Sequence, residues 1–269
     1  MSAPTGIWLV GAGNMGGAML RKWIASGVHS ASILVIDPGN PALPEGVRVV
    51  AEAPAQGVPD VLVLAIKPQQ LGVLALPSLA DLAPSQAPLL ISILAGVEEA
   101  SLAARVPARA IVRAMPNLPV SIGKGVVALH TTSDDPAARQ SAGALMAPLG
   151  LVEWIGDEAL FDAVTALSGC GPGFLFRFID AMAEAGAALG LPADQALRLA
   201  VATVEGSGLL AAQAQEPPAV LADRVASPGG STREGLNVLD KDQALETLMR
   251  ETLAAAARRN AEMAAAARG

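Results

Sequence analysis

The sequence predicts an α/β domain followed by an all-helical domain, and three observations support this prediction. A glycine-rich turn directly follows the first apolar run, short apolar runs then alternate with helical stretches, and only helical patterns follow residue 156. At 269 residues with a hydrophobic fraction of 52%, the chain can bury two modest cores. We therefore expect a doubly wound sheet over residues 1–156 and a helical domain over residues 157–269.

The first element is a strand over Ile7–Val10, which runs into a glycine-rich turn and then a helical pattern through about Ser26. Gly-x-Gly-x-x-Gly between a strand and a helix is the Rossmann-type dinucleotide fingerprint. Its glycines permit a tight turn, close approach of a pyrophosphate, and close packing of helix on strand. The spacing predicts that NADH or NADPH binds at Gly11, Ala12, Gly13, Asn14, Met15 and Gly16.

The second strand, Ile33–Ile36, ends at Asp37. A carboxylate at this position can accept hydrogen bonds from the ribose hydroxyls of NAD, and it repels the 2′-phosphate of NADP. The alternative is that Asp37-Pro38-Gly39 is only a turn, and both interpretations stay open.

Further apolar runs predict the rest of a parallel sheet, because they are short, apolar throughout and separated by helical stretches. Ligands of such sheets bind at the carboxyl ends of strands, so Lys67, Ser92 and Asn117 are candidate cofactor neighbours. Lys67 could equally be a solvated strand end. The predicted strands of this sheet are Val47–Val50, Val61–Ile66, Leu89–Leu94 and Ala110–Arg113; Gly125–Leu129 and Leu151–Ile155 are predicted as two last strands, with a helix over residues 136–147 between them.

Beyond Gly156 only helices are predicted, with Gly and Pro marking several of their starts and stops. Recurring alanines allow these helices to approach one another closely. The predicted helices are Ala159–Leu167, Phe174–Leu189, Ala193–Gln213, Pro217–Ala226, Ser231–Leu239 and Asp242–Ala267.

Composition argues against several classes of function. A net charge of −7 without a Lys/Arg cluster argues against a nucleic-acid partner. No uninterrupted apolar run reaches the length of a membrane span, and we expect no signal segment and no membrane partner. The single cysteine, Cys170, fits the reducing cytoplasm, and two histidines poorly supply a metal site. We therefore expect no metal, and chemistry that comes from a cofactor.

The segment Ser227–Thr232 contains Pro228 and a glycine pair, which prevent a helix from running through it. Ser231 and Glu234 have the spacing of a capping box, so a helix is predicted to start here. Backbone N–H groups and hydroxyls at a helix start suit a small anion. The alternative is an ordinary capped turn between two helices.

A dinucleotide-binding sheet followed by helices suggests an oxidoreductase that acts on a small molecule. The β-hydroxyacid dehydrogenases share this layout, but they need a catalytic lysine early in the helical domain, and Ala159–Gly190 contains none. Reduction of a cyclic imine needs no strong base, only a hydride donor, a carboxylate cradle and a proton for the ring nitrogen. A third possibility is a non-catalytic dinucleotide-binding protein whose helices only mediate assembly.

Five segments give the chain an end-to-end resemblance to the pyrroline-5-carboxylate reductase family. The most specific is Asp223–Thr232, which contains the loop just described. The others are Gly11–Gly16, Ala65–Gln69, Arg113–Asn117 and Leu167–Pro172.

The resemblance implies reduction of L-1-pyrroline-5-carboxylate to L-proline by NADPH or NADH, the last step of proline synthesis. It implies that the loop, at Ser227, Gly229, Gly230 and Ser231, holds the substrate carboxylate, with Thr232 beside the ring nitrogen as the catalytic residue. It also implies a homodimer, or a larger homo-oligomer built from dimers, with the loop of one subunit facing the nucleotide domain of the other. Ala65, Ile66, Lys67 and Pro68 would line the nicotinamide side of the cofactor.

Some positions depart from the family pattern. Ser231 stands where bacterial members usually have Thr, and its hydroxyl survives. Phe174 replaces a common Tyr, Cys170 replaces a frequent Ser, and Asp37 stands where many members have a small or polar residue.

Overall fold

The computed structural model describes residues 6–268, and the side-chain surroundings of residues 6–265. Contacts between residues divide the chain into two compact units. The first comprises the chain up to Cys170 together with the residues from Ala256 onward, and the second is Gly171–Ala255. The two units are described separately below.

The first unit contains an eight-stranded sheet with the strand order β3-β2-β1-β4-β5-β6-β7-β8. Strands β1 to β6 are mutually parallel and have the order 3-2-1-4-5-6 of a doubly wound dinucleotide-binding sheet, which confirms the predicted fold class. The strands are β1 Ile7–Val10, β2 Ile33–Ile36, β3 Arg48–Val50, β4 Val61–Leu64, β5 Leu89–Ser92, β6 Ala110–Pro116, β7 Gly125–His130 and β8 Gly150–Trp154.

The last two strands, which the sequence predicts without a direction, do not run parallel to β1–β6. β7 is antiparallel to β6, with Arg113 opposite His130 and Pro116 opposite Val127, and β8 follows the direction of β7. Only the short 3₁₀ turn Leu118–Ile122 lies between β6 and β7. A parallel pair needs a crossover of a dozen or more residues, so this connection permits only an antiparallel pair.

Alternate residues of the strands enter two cores, one on each face of the sheet. Ile7 and Leu9 of β1 belong to one core, which the helices α1 Asn14–Ala25 and α3 Pro136–Met146 cover. Trp8 and Val10 belong to the other. The second core is covered by a 3₁₀ helix over Pro68–Val73 and by α2 Glu99–Ala103, through residues such as Leu71 and Leu102. The carboxyl ends of β1 to β6 are left at one edge, where the predicted cofactor residues lie.

After β8 the chain is helical, as predicted. Within the described residues, one continuous helical stretch, Glu158–Ala188, is long and apolar enough by composition to cross a membrane, although charged side chains such as Asp162 and Arg177 interrupt it. The helices are α4 Phe161–Val164, a π-helical turn Thr165–Gly169, α5 Gly171–Ala188, α6 Ala193–Gln213, α7 Pro218–Arg224, α8 Ser231–Asp240 and α9 Ala244–Arg268.

The compact units do not divide at the predicted boundary of residue 156. Phe161 of α4 is buried in a small core with Met115 of β6 and Ala128 of β7, so the chain beyond β8 still packs on the sheet. The last part of α9 also packs on the first unit, where Asn260 Nδ2 donates to the carbonyl oxygen of Asp162 at 3.4 Å. The assignment of substrate binding and dimerisation to residues 157–269 stays a prediction.

Candidate active site

The glycine-rich turn has the shape that a bound pyrophosphate requires. Gly11 has a φ of +90°, and a Cβ there would lie 2.6 Å from the carbonyl oxygen of Ala65. At Gly16 a Cβ would collide with the carbonyl of Gly11 and with the side chain of Ala65. Gly13, by contrast, is exposed and has nothing within 4 Å of its Cβ position. Two glycines are therefore required by close packing, and the middle one leaves open space beside the chain.

The start of α1 offers backbone donors to a phosphate group. Gly13 is its N-cap residue, has no side chain to cap the helix, and the first turn contains no acidic side chain. The first N–H groups of an α-helix have no partner within the helix, and the helix dipole favours an anion there. Asn14 is exposed at this end and Met15 is half-buried. These residues fit the diphosphate of a dinucleotide.

Asp37 connects the end of β2 to the glycine-rich turn. Its Oδ2 accepts from the N–H of Ala12 at 2.8 Å, and its Oδ1 accepts from the N–H of Gly39 at 2.8 Å. The bond to Gly39 supports the interpretation of Asp37 as a turn residue. A carboxylate can accept about four hydrogen bonds, so both oxygens retain capacity for ribose hydroxyls. The two interpretations are compatible in this geometry.

The segment after β4 lies beside the glycine-rich turn. The N–H of Ala65 donates to the carbonyl of Val10 at 2.8 Å, which continues the pairing of β4 with β1. Lys67 is exposed, and its N–H donates to Oε1 of Gln70 at 2.9 Å at the start of the 3₁₀ helix. Ile66 and Pro68 are half-buried on either side of it. The Ala65–Pro68 segment is thus brought to the edge where the cofactor is predicted.

Ser92 and Asn117 face the protein interior. Ser92 is buried, and its hydroxyl accepts from the N–H of Leu94 within the turn after β5. Asn117 Oδ1 accepts from the N–H of Val126 at 2.8 Å, and its Nδ2 donates to the carbonyl of Ser168 at 2.9 Å. Asn117 therefore anchors the end of β6 to β7 and to the π-helical turn. Its assignment to cofactor binding stays a prediction, with the interior bonds as the competing role.

A partly buried polar network, for which the sequence carries no local signal, holds the start of α2. Oε1 of Glu158 accepts from the N–H of Glu99 at 2.8 Å and from Nη1 of the buried Arg113 at 2.7 Å. The Glu99 carboxylate accepts in turn from the N–H and the hydroxyl of Thr132, at 2.9 and 2.7 Å. Arg113 also lies over the ring of Phe161 at 4.5 Å. The network fixes the loop between β5 and α2 relative to β6 and β7.

In the second unit, the loop before α8 presents uncommitted polar groups. Gly229 has a φ of +71°, and the N–H of Gly230 donates to the carbonyl of Ser227 at 2.9 Å, which closes a tight turn. Among the described residues, the hydroxyls of Ser227, Ser231 and Thr232 make no hydrogen bond, and all three residues are exposed. This arrangement suits the binding of a small carboxylate.

The predicted capping box at Ser231 is wrong. Gly230, with φ −81° and ψ 159°, is the N-cap residue of α8, and no side chain caps the helix. Ser231 is consequently the first helical residue, and the N–H of Glu234 donates to the carbonyl of Gly230 at 3.2 Å. Thr232 is the second residue of α8, as expected for a side chain at a helix start. The glycine leaves the first-turn N–H groups free of any side-chain partner.

An ion pair that the sequence does not predict lies across the base of the loop. Nη2 of Arg233, in the first turn of α8, donates to Oδ1 of Asp223, at the end of α7, at 2.7 Å. Both residues lie within or beside the Asp223–Thr232 motif, but ten residues of spacing carry no helical or strand period. The pair joins the two helices that flank the loop and neutralises the guanidinium of Arg233.

No metal centre accompanies these features in the part of the chain that the structure describes, where no three His, Cys, Asp or Glu side chains come together. Cys170 is a free, partly buried thiol at the end of the π-helical turn, and its N–H donates to the carbonyl of Thr165 at 2.8 Å.

Family models match both parts of the chain. Residues 6–96 match the family described as NADP oxidoreductase coenzyme F420-dependent, and residues 158–263 match pyrroline-5-carboxylate reductase dimerisation. The sequence is 37% identical to pyrroline-5-carboxylate reductase of Pseudomonas aeruginosa, over 98% of each chain. It is also 37% identical to the Synechocystis enzyme of the same name, over 98% of this chain and 99% of the relative.

A solved structure extends the comparison to the fold. The pyrroline-5-carboxylate reductase of Coxiella burnetii has a TM-score of 0.84 and 29% identity, and it covers 97% of this chain and 98% of its own. A Plasmodium falciparum pyrroline carboxylate reductase with NADP bound shares the fold, with a TM-score of 0.81 and 24% identity over 97% and 98% of the two chains. The 37% identity to two pyrroline-5-carboxylate reductases over 98% of this chain shows that the chain belongs to the pyrroline-5-carboxylate reductase family.

Proposed function

We propose that this chain reduces L-1-pyrroline-5-carboxylate to L-proline with a hydride from NADH or NADPH, as the final step of proline biosynthesis. The observation that carries the proposal is the exposed loop Ser227–Thr232, whose free hydroxyls and helix-start N–H groups match a small carboxylate. The Asp223–Arg233 ion pair supports a loop held in one geometry between α7 and α8. A dinucleotide-binding unit in the same chain supplies the redox half of the reaction.

The cofactor, when bound, supplies the hydride. The open space at Gly13 and the uncapped start of α1 suit its diphosphate, and Asp37 suits its adenine ribose. Ala65–Pro68 is the segment that would flank its nicotinamide. Each of these contacts binds and orients, and none has to accept or donate a proton.

The loop residues bind and orient the substrate. Ser227 and Ser231, with the free N–H groups of the first turn of α8, hold the carboxylate, and Gly229 shapes the turn through its positive φ. Gly230 contributes to the turn, because its N–H already donates to the carbonyl of Ser227. The hydroxyl oxygen of Thr232 accepts a hydrogen bond from the N–H of the protonated ring nitrogen. A threonine hydroxyl is too weak an acid for ordinary general acid catalysis, so Thr232 works by positioning. The protonated imine is already electrophilic, and hydride addition converts C=NH⁺ to the neutral amine of proline.

The reaction is tested by following the oxidation of NADH and NADPH with purified protein. Pyrroline-5-carboxylate should support turnover, whereas 1-pyrroline, which lacks the carboxylate, should lose at least about tenfold in kcat/KM because the loop has no anion to hold. Cofactor binding without turnover would instead indicate a dinucleotide-binding assembly protein. Turnover of small β-hydroxyacids with NAD⁺ or NADP⁺, without turnover of the imine, would favour the other enzyme class.

The homo-oligomer suggested by the dimerisation match is proposed to be a homodimer, or a larger assembly built from dimers. Large apolar side chains of the second unit are exposed in the single chain, among them Phe176 at 55%, Leu210 at 62% and Leu248 at 60%. Exposed apolar surface on this scale marks a protein–protein contact. The apolar stretch Glu158–Ala188 lies within the matched residues 158–263, so a second subunit accounts for its composition without a membrane.

Light scattering should therefore give at least twice the mass of the 27.1 kDa chain. A fully active monomer at low concentration would contradict the proposed assembly. We also propose a cytoplasmic location, which the single cysteine supports, and cell fractionation tests it.

A further inference from the structure

A cleft of about 870 Å³ lies in the first unit, beside the predicted cofactor edge. Four segments line it: the 3₁₀ helix Pro68–Val73, the loop after β5, α2, and the C-terminal part of α9. Its volume falls in the range of small-molecule sites, which is roughly 300–1,000 Å³. Apart from Pro68, which ends the segment proposed to flank the nicotinamide, none of the residues that line the cleft has a role in the proposed function.

Arg105 gives this cleft an uncompensated positive charge. Its side chain is exposed and, among the described residues, makes no hydrogen bond or ion pair. Nη1 of Arg105 lies 3.5 Å from the position that a Cβ on Gly72 would take, so the guanidinium lies against the 3₁₀ helix. The other cleft arginine, Arg259, is paired with Glu262 at 2.9 Å. The three charged side chains therefore leave one positive charge.

The rest of the lining is largely apolar. Leu71 and Val97 are buried at the cleft, and Met263 of α9 contributes a half-exposed apolar side chain. A guanidinium binds a carboxylate through two parallel hydrogen bonds, and the apolar side chains favour hydrocarbon next to it. We propose that this cleft binds a small organic acid, with its carboxylate on Arg105 and its apolar body against Leu71, Val97 and Met263.

An occupant of the cleft would contact the segments that follow β4 and β5, at the edge of the sheet where the cofactor is predicted to bind. Pro68 and Gln69 continue the Ala65–Pro68 segment, and Gly96 follows β5. A Cβ on Gly96 would lie 3.2 Å from Cα of Ala264, so α9 is seated directly on this loop. A bound acid therefore joins the 3₁₀ helix, the loop and α9, and it should change the KM for NADH. This last consequence rests on the proposed function, whereas binding itself does not.

Binding is measured by isothermal titration calorimetry on the full chain without cofactor. The probe is hexanoate, with hexanamide as the uncharged analogue and acetate as the analogue without an apolar body. We expect hexanoate to bind at least about tenfold more tightly than either analogue. Equal affinity for hexanoate and hexanamide would overturn the assignment of the carboxylate to Arg105.

Two arginine variants make a matched pair. Arg105→Gln should weaken hexanoate binding about ten- to a hundredfold. Arg258→Gln removes an exposed arginine of the same unit that does not line the cleft, and it should leave the affinity unchanged. Equal loss in both variants, or no loss in either, would overturn the proposal. Melting temperatures close to that of the unmodified protein show that both variants are folded.

Two further outcomes separate this inference from the proposed function. A chain that turns over pyrroline-5-carboxylate but does not bind hexanoate refutes the cleft and leaves the enzyme standing. A chain that binds hexanoate through Arg105 without any reductase activity refutes the enzyme and leaves the cleft standing. Strict competition between hexanoate and NADH, or a change of mass in light scattering with Arg105→Gln, would instead assign the cleft to the cofactor or to a second subunit.

Discussion

Replacement of Asp37 separates its electrostatic role from its role in the turn. Asp37→Asn keeps the shape of the side chain and removes the charge. Asp37→Ser removes the charge, and its shorter side chain also cannot reach the N–H of Ala12, which donates to the carboxylate of Asp37 at 2.8 Å. If Asp37 faces the adenine ribose, both variants should shift the ratio of kcat/KM values toward NADPH.

The expected size of the shift follows from the electrostatics of a partly exposed carboxylate. Two unit charges about 5 Å apart repel by about 3 kcal/mol at an effective dielectric constant of 20, and by about 0.8 kcal/mol in water. The half-buried position of Asp37 lies between these limits. Removal of the repulsion from the 2′-phosphate should therefore change the cofactor ratio by roughly ten- to a hundredfold in either variant.

Stability should distinguish the two variants. In Asp37→Ser the N–H of the buried Ala12 loses its partner, which costs about 1–3 kcal/mol. The Asn variant retains one acceptor oxygen and should lose less. Initial rates with NADH and with NADPH, together with thermal melting, measure both effects. A lower melting temperature with an unchanged cofactor ratio in both variants would refute the electrostatic reasoning and leave Asp37 as a turn residue.

Three further predictions concern other parts of the structure. Thr232→Ala should lower kcat/KM by about ten- to a thousandfold, and Thr232→Ser should largely restore it. If the Ala variant keeps its kcat/KM and loses only about 1 kcal/mol of unfolding free energy, as for a lost helix-terminal contact, Thr232 has a structural role. Glu158→Gln leaves the buried guanidinium of Arg113 without its counter-charge, so the free energy of unfolding, measured by chemical denaturation, should fall by about 2 kcal/mol. A fall below about 0.5 kcal/mol would show that the ion pair contributes little to stability. Gly96→Ala should lower the melting temperature more than Gly57→Ala, because both glycines have positive φ but, of the two, only Gly96 has a neighbour at its Cβ position. Equal melting temperatures would show that α9 can move away from the added methyl group.

The parts of the fold that were predicted correctly depend on neighbours in the sequence. Ile7–Val10, the three glycines and α1 form one continuous segment, and backbone sterics alone require glycine where Gly11 has a φ of +90°. The break at Pro228 and Gly229 also follows from local backbone preferences. The same local reasoning placed the N-cap one residue too late, because a glycine and a serine next to it can both take that position.

The sequence by itself thus determined the sheet, the helices, the glycine-rich turn and the loop before α8, since each depends on a short stretch of chain. Only the tertiary structure decided the direction of β7, the return of α9 to the first unit and the partners of the polar side chains. The carboxylate of Glu158 meets Arg113 and the N–H of Glu99, which are 45 and 59 residues away along the chain. The order of the strands in the sheet decides which side chains meet at their ends. A contact between residues so far apart in the chain produces no periodic pattern in the sequence.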